Sequence, residues 1–457
     1  MAKDRKSYLC PNCGYRSLQW LGRCPQCGEW DSFEEEISPS KRYEARGTVS
    51  PQSISMLDTT QEDRIQTKME EVDRLLGGGI VKGSLILIGG DPGIGKSTLI
   101  LQLLHSMARN GHPVLYVSGE ESLTQITLRA QRLGAIEKGL YVMGVASVEE
   151  IFEAAEGLKP SCVAIDSVQT IYTESNPQIP GSIAQLREVT LRLLKISKEK
   201  NLAVLLVGHV TKEGVIAGPK MLEHMVDTVL YLEGEGYQPF RILRVQKNRF
   251  GPTFEMAVLE MREKGLWPVS NPSLLFLKER PKGSSGSCVT PYMAGTRPLL
   301  VEVQALATSG SQPMPRRTFL GVESQRVSLI AAVLEKRLGI QLSNKDLFIN
   351  IVGGLRIQET APDLAVAASI ISSYWDHPIP EDVVIFGEVG LGGEVRSVSY
   401  PDQRVMEAKK LGFKTVILPK QNLLDLKEKK ELFFVGITHL EELMGHLFKR
   451  TPKKMKS

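Results

Sequence analysis

The chain has little of what marks secreted, membrane-spanning or strongly polyanion-binding proteins. Cysteine is scarce, with six in 457 residues, so a disulfide framework spread through the chain is excluded. No apolar run approaches the ~18 residues that a membrane helix needs. The opening MAKDRKSYLC has basic residues with no apolar stretch behind them. That argues against a secretory leader and makes the cytoplasm the expected location. Charge nearly balances, with 56 Lys and Arg against 52 Asp and Glu, a formal +4. So small an excess does not announce nucleic-acid binding. The tail KRTPKKMKS, 449–457, is locally basic, and such a run is ordinarily a solvated terminus. What is present is globular in character: 42% hydrophobic and 24% charged residues, enough for two or three domains at ~150 residues each.

Four of the six cysteines crowd into the first thirty residues, as Cys10, Cys13, Cys24 and Cys27. The pattern is C-x2-C, ten residues, C-x2-C. Each C-x2-C turn converges two thiolates on one centre, and two such turns complete a tetrahedron around Zn²⁺. With all four positions taken by thiolate, the metal is expected to be structural. Cys162 and Cys288 stand alone and read as packing residues.

After this knuckle (1–33) comes a polar Ser/Thr/Pro-containing stretch, 34–66, which reads as a linker. From 67 to 277 apolar strand-like runs alternate with helical ones: SLILIGG, PVLYVSGEE, SCVAIDS, NLAVLLVGH and VDTVLYLEG. The alternation predicts an α/β fold with a mainly parallel sheet covered by helices. A charged and then Gly/Ser-rich segment, 278–288, reads as a second linker before a C-terminal α+β domain, 289–448.

GGDPGIGKST follows the strand-like SLILI and precedes a helical pattern, the setting a phosphate-binding loop requires. Backbone amides of Gly90, Asp91, Pro92's neighbours, Gly93, Ile94 and Gly95 are placed to wrap phosphate at a helix N-terminus. Lys96 is expected on the β- and γ-phosphates, Ser97 on Mg²⁺, and Thr98 beside them in an ATP site that includes Pro92. Asp166 ends the apolar run SCVAID, where a carboxylate would hold the Mg²⁺ shell. Glu120 and Glu121 end the strand between; Glu120 is the candidate general base and Glu121 the alternative. His209 ends LLVGH, either as a nucleotide sensor or as an ordinary hydrogen-bonded residue.

DRLLGGGIVKGSLILIGGDPGIGKSTL, the paired glutamates, VAIDS and LLVGHVTKEG resemble the RecA/DnaB/KaiC class of P-loop ATPases. With the cysteine knuckle in front and QKNRFGPT behind, the whole chain resembles the bacterial RadA (Sms) family. The resemblance implies a DNA-dependent ATPase of recombinational repair, working as a hexameric ring on single-stranded or branched DNA as a helicase or branch-migration motor. In RecA-class proteins nucleotide lies between subunits, so Lys247 and Arg249 of KNRFG are expected to reach the γ-phosphate of a neighbour. Two apart at a strand end, they would share a side. The loop TKEGVIAGPK, 211–220, resembles loops projected into a ring's channel, which makes Lys212 and Lys220 candidate DNA-backbone contacts.

FGEVGLGGEVRSV and KTVILP resemble the proteolytic domain of Lon, whose chemistry uses a Ser–Lys dyad. Here APDLA puts Asp363 at the serine's place and Asp402 falls at the lysine's; Ser369, shifted in register, lacks the surrounding glycines. No peptidase activity is expected. The domain reads as a scaffold for subunit contact, with Arg316 and Arg317 as candidate DNA-facing residues. Two other classes stay open: an ATP-dependent Lon-like protease, which the absent dyad opposes, and a KaiC-like ATP-driven switch, which the single P-loop opposes. The zinc knuckle, too small to bury a core without metal, is expected to meet a recombinase, a replicative helicase or DNA.

Overall fold

The computed structural model describes residues 6–9, 16–17, 19–25, 28–30, 34–37, 53, 63–209, 221–234, 239–253, 255–310 and 315–448. The chain packs as two units, Met1–Gln61 and Glu62–Ser457. Among the described residues no helix is long and apolar enough to cross a membrane.

In the first unit Lys6–Leu9 pairs antiparallel with both Arg16–Ser17 and Glu34–Ile37. The small module therefore runs past the boundary expected at residue 33. Cys24 is buried, its amide donating to Glu29 O at 2.8 Å, while the Gly28 amide returns to Cys24 O at 2.9 Å. Gly28 closes that turn at φ 77°, a conformation that costs little only without a Cβ. Arg23 lies over the exposed ring of Trp30, 5.5 Å from its centroid. Cys10, Cys13 and Cys27 lie outside the described residues, as do Lys212, Lys220 and the tail 449–457.

The second unit carries a nine-stranded sheet. Its order is Gly265–Pro268, Met256–Arg262, Phe240–Asn248, Thr228–Glu233, Leu85–Gly90, Ala203–His209, Cys162–Asp166, Val114–Ser118 and Leu140–Gly144. The six strands from Thr228–Glu233 to Leu140–Gly144 are parallel, and the other three extend the sheet antiparallel. Strand Leu85–Gly90 is buried throughout and alternates its side chains between two cores. Ile86 and Ile88 face the helices Lys96–Arg109 and Leu123–Leu133; Leu85 and Leu87 face Val148–Leu158 and Ile183–Lys200. The first of these helices follows from its apolar spacing, Leu99, Ile100, Leu103, Leu104 and Met107. The second starts at a capping box made by Ser122 and Gln125.

The C-terminal sheet runs Arg317–Leu320, Lys345–Ile351, Arg297–Ser309, Ser287–Ala294, Val383–Ile385, Thr415–Pro419 and Phe433–Ile437. Helices Ser324–Leu338 and Asp363–Trp375 fill one face and Pro401–Lys410 the other. This region shares a core with the nine-stranded sheet. Ile242, Met256 and Val258 join the cluster that holds Val301, Leu334 and Ile371. The carboxylate of Glu255, fully buried, takes Arg74 from one side and the Thr296 amide, at 2.7 Å, from the other. The segment 278–288 is therefore no break in packing, and its last two residues already belong to the strand that starts at Ser287. At the other end the α/β body begins ahead of residue 67, since Arg64–Ile65 pairs with Ile80–Val81.

Candidate nucleotide site

Parallel register brings the candidate residues to one edge of the sheet. Gly90 lies opposite His209, Leu206 opposite Ile165, and Ser118 opposite Asp166. The P-loop, His209, Asp166 and the Glu120 turn thus all emerge at the carboxyl ends of adjacent strands, where open α/β sheets bind ligands.

Gly90 starts the loop at φ 151°, and a Cβ there would collide with the carbonyl oxygen of Leu232. The turn then exposes Pro92 and Gly93, half-buries Asp91 and buries Ile94; Gly95 N-caps the helix whose first turn carries Lys96, Ser97 and Thr98. Lys96 is 3% exposed, and its Nζ donates to Gly90 O at 2.8 Å and Asp91 O at 2.9 Å. Burial lowers the pKa of its ammonium, while the carboxylates of Asp166, Asp91 and Glu120 act to raise it. Asp166 is buried and accepts a hydrogen bond from the Tyr116 hydroxyl at 2.7 Å.

The two glutamates, equivalent in sequence, part company in space. Ser167 Oγ donates to Glu120 Oε1 at 2.5 Å, and His209 Nε2 stands 3.7 Å from the same oxygen. Glu121 instead forms an ion pair with Arg129 on the flanking helix. The Ser118 hydroxyl accepts both glutamate amides, at 3.3 and 3.0 Å, which sets the turn that splays the side chains apart. The donor set fits a triphosphate with its cation: one buried ammonium, a Ser hydroxyl at a helix start and a buried carboxylate. Ser97 and Asp166 are the residues that would hold Mg²⁺.

Lys247 and Arg249 lie at the opposite end of the sheet. The strand Phe240–Asn248 runs antiparallel to Thr228–Glu233, so its last residues align with the start of the P-loop strand. Lys247 Nζ is tied to the carbonyls of Glu223, His224 and Val226, at 2.8, 3.3 and 2.8 Å. Burial lowers its pKa, and Arg249 nearby lowers it further. Arg249 lies past the strand, half exposed, with Nη1 3.2 Å from Asp227 Oδ1. The other oxygen of this buried carboxylate accepts the Leu85 amide at 3.1 Å. The pair thus does not act as two equal tines on one strand face: Lys247 caps a turn, while Arg249 points outward. The motif's last glycine is held where Arg64 grips Phe250 O, at 2.7 Å.

In the C-terminal domain Asp363 is 4% exposed and receives the Arg326 guanidinium along with the Val389 amide at 3.2 Å. Burial raises its pKa, and Arg326 opposes that shift. Ser369 is fully buried and donates to Val366 O at 2.9 Å, and Asp402 accepts the Lys427 amide at 3.0 Å. These three do not converge on a hydroxyl nucleophile. Arg317 begins the edge strand Arg317–Leu320 and Arg316 precedes it; both are exposed, Arg317 bonding Leu342 O at 2.7 Å and the Arg316 amide bonding Asp346 at 2.7 Å. Sequence reasoning missed Ser167, Arg129, Tyr116 and Asp227. Ser167 could have been found as the neighbour of Asp166. The other three look like ordinary core or surface positions until the strands are paired.

Known families match three stretches: an AAA domain over 51–215, a rubredoxin metal binding domain over 8–35, and subunit ChlI of Mg-chelatase over 322–422. The DNA repair protein RadA of Bacillus subtilis (strain 168) is 48% identical over 452 residues, 97% of this chain and 99% of that protein. Its namesake in Halalkalibacterium halodurans is 49% identical over 452 residues, 97% and 99% of the two chains. That in Listeria monocytogenes is 47% identical over 448 residues, 97% and 98%. A KaiC-like protein of Pyrococcus horikoshii is 20% identical, with a TM-score of 0.38, over 46% of this chain and 99% of that one. The rubredoxin-type match coincides with the cysteine knuckle, and the turn at Cys24 to Gly28 suits a thiolate knuckle, so zinc, ATP and Mg²⁺ are the cofactors of this fold. Replacing Cys24 with serine is expected to empty the zinc site, read as loss of metal in a chromogenic chelator assay on the unfolded protein. Retained stoichiometric zinc would refute the four-thiolate site.

Proposed function

The chain belongs to the family of the DNA repair protein RadA, and on that premise we propose that it is a DNA-dependent ATPase of recombinational repair. In this reading it works as a hexameric ring that unwinds or branch-migrates recombination intermediates. One observation carries the proposal: Arg249 sits at the Leu85 end of the P-loop strand. The six residues Leu85–Gly90 separate it from its own phosphate loop, a run of about 17 Å at the strand rise. An exposed arginine there cannot serve its own nucleotide, and it suits the nucleotide of an adjacent copy.

Within one site Lys96 leaves the carbonyls of Gly90 and Asp91 for the β- and γ-phosphates, exchanging dipoles for full charges. Mg²⁺, when bound, neutralises charge on the phosphates, with Ser97 and Asp166 as its protein anchors. Glu120 accepts the proton of the attacking water, oriented through Ser167. His209, beside both Gly90 and Glu120, senses whether the γ-phosphate is present. Arg249 of the adjacent copy balances charge that develops on the transferred group. Lys212, Lys220, Arg316 and Arg317 are the proposed DNA-backbone contacts. The zinc module, with Trp20 and Trp30 exposed, is proposed to meet a recombinase or replicative helicase. Aromatic side chains of this kind anchor protein interfaces.

Arg249→Ala and Lys96→Ala tested separately and mixed distinguish this arrangement. Each alone is expected to be inactive, and mixing restores part of the DNA-stimulated hydrolysis, because an intact P-loop then meets an intact arginine from its neighbour. Single-stranded DNA at low salt stimulates the wild type, and the stimulation fades as salt rises. Full activity of Arg249→Ala, or no effect of DNA on wild-type hydrolysis, would sink the reading.

A further inference from the structure

One buried polar group in the nucleotide half of the molecule is used by no step above. Tyr116 lies in the middle of the strand Val114–Ser118, 1% exposed, in the same core as Leu99, Ile126 and Ala164. Its backbone pairs with Ala164, two residues short of the register pair Ser118 and Asp166. The ring therefore runs along the sheet face and delivers its hydroxyl to Asp166 Oδ2, 2.7 Å away. A leucine or phenylalanine would fill that apolar space equally well, so packing alone gives no reason for the oxygen. We propose that Tyr116 is a positioning residue for Asp166: its hydroxyl engages Oδ2 and fixes the carboxylate, leaving Oδ1 to the cation bound with the nucleotide.

This rests on Asp166 being the Mg²⁺ carboxylate. A carboxylate between two strand ends can rotate about χ2, and a cation-anchoring group loses affinity with every conformer that points away. A hydrogen bond from a buried, rigid ring removes that freedom. Groups that orient metal-anchoring ligands from behind typically contribute about 10- to 100-fold in metal affinity or activity.

Tyr116→Phe removes one oxygen and keeps the ring. The readout is the Mg²⁺ dependence of binding of a fluorescent ADP analogue, with binding in EDTA as reference. Tyr116→Phe is expected to raise the half-saturating Mg²⁺ concentration about tenfold, with binding in EDTA unchanged. Asp166→Asn is expected to shift it at least as far, and the double variant no further than Asp166→Asn alone. A hydroxyl with a merely structural role would lower the unfolding midpoint and leave the Mg²⁺ dependence where it is, and that result overturns the proposal. If Asp166→Asn itself leaves the Mg²⁺ dependence unmoved, the assignment of Asp166 fails and takes the proposal with it. If Asp166→Asn shifts it and Tyr116→Phe does not, the proposal alone fails.

Discussion

Lys96→Ala is expected to lower ATP turnover about a hundred- to a thousandfold, the usual cost of deleting one preorganised donor to developing charge. The side chain is 3% exposed, and its bonds are to two carbonyls of the loop itself. Its position is thereby set in advance within the loop. Burial disfavours the ammonium, and three carboxylates oppose that shift. Alanine removes the cation and leaves Asp91, Asp166 and Glu120 facing a polyanion without it. Nucleotide affinity should therefore fall together with turnover. Equilibrium binding of a fluorescent nucleotide and steady-state phosphate release measure the two losses. A Lys96→Ala protein that hydrolyses ATP at the wild-type rate would remove the P-loop from the chemistry.

Glu120→Gln is expected to separate binding from chemistry, with single-turnover hydrolysis falling about 10²- to 10⁴-fold and ATP affinity nearly unchanged. The amide keeps the bond from Ser167 and the side-chain volume but cannot take a proton from water. Glu121→Gln is the informative partner. Because Glu121 is held by Arg129, its loss should disturb the flanking helix, seen as a lower unfolding midpoint, and leave hydrolysis within a few-fold of wild type. A reversed outcome, with hydrolysis lost in Glu121→Gln and kept in Glu120→Gln, would reassign the general base. The sequence places both acids at the same strand end, with Glu120 the candidate base and Glu121 the alternative. The Ser118 hydroxyl, taking both amides, turns one toward Ser167 and His209 and the other toward the helix.

Much of the nucleotide half was legible because its signals are local. A strand, a glycine loop and a helix are contiguous in GGDPGIGKST, and the strand-like runs around Asp166, Glu120 and His209 each end where their polar residue begins. Such a pattern is readable without knowing which strand lies beside which. Cys24 and its turn belong to the same class, since two thiolates on one knuckle are a matter of four residues. The assignment of Lys247 and Arg249 as an equal pair rested on two-residue periodicity. It missed that the strand stops at Asn248 and that the Lys247 ammonium caps three carbonyls.

By itself, then, the order of residues determined an α/β nucleotide-binding body, a thiolate knuckle and a C-terminal domain without a serine–lysine dyad, because each depends on neighbours along the chain. Tertiary structure decided what depends on pairing across it. It set Glu120 beside Ser167 and His209 and paired Glu121 with Arg129, put the Tyr116 hydroxyl on Asp166, and joined the C-terminal sheet to the ATPase through Arg74, Glu255 and Thr296. It also set Arg249 a strand's length from its own P-loop, since an antiparallel return reverses which end of the sheet a residue occupies. That reversal leaves no trace in composition or spacing.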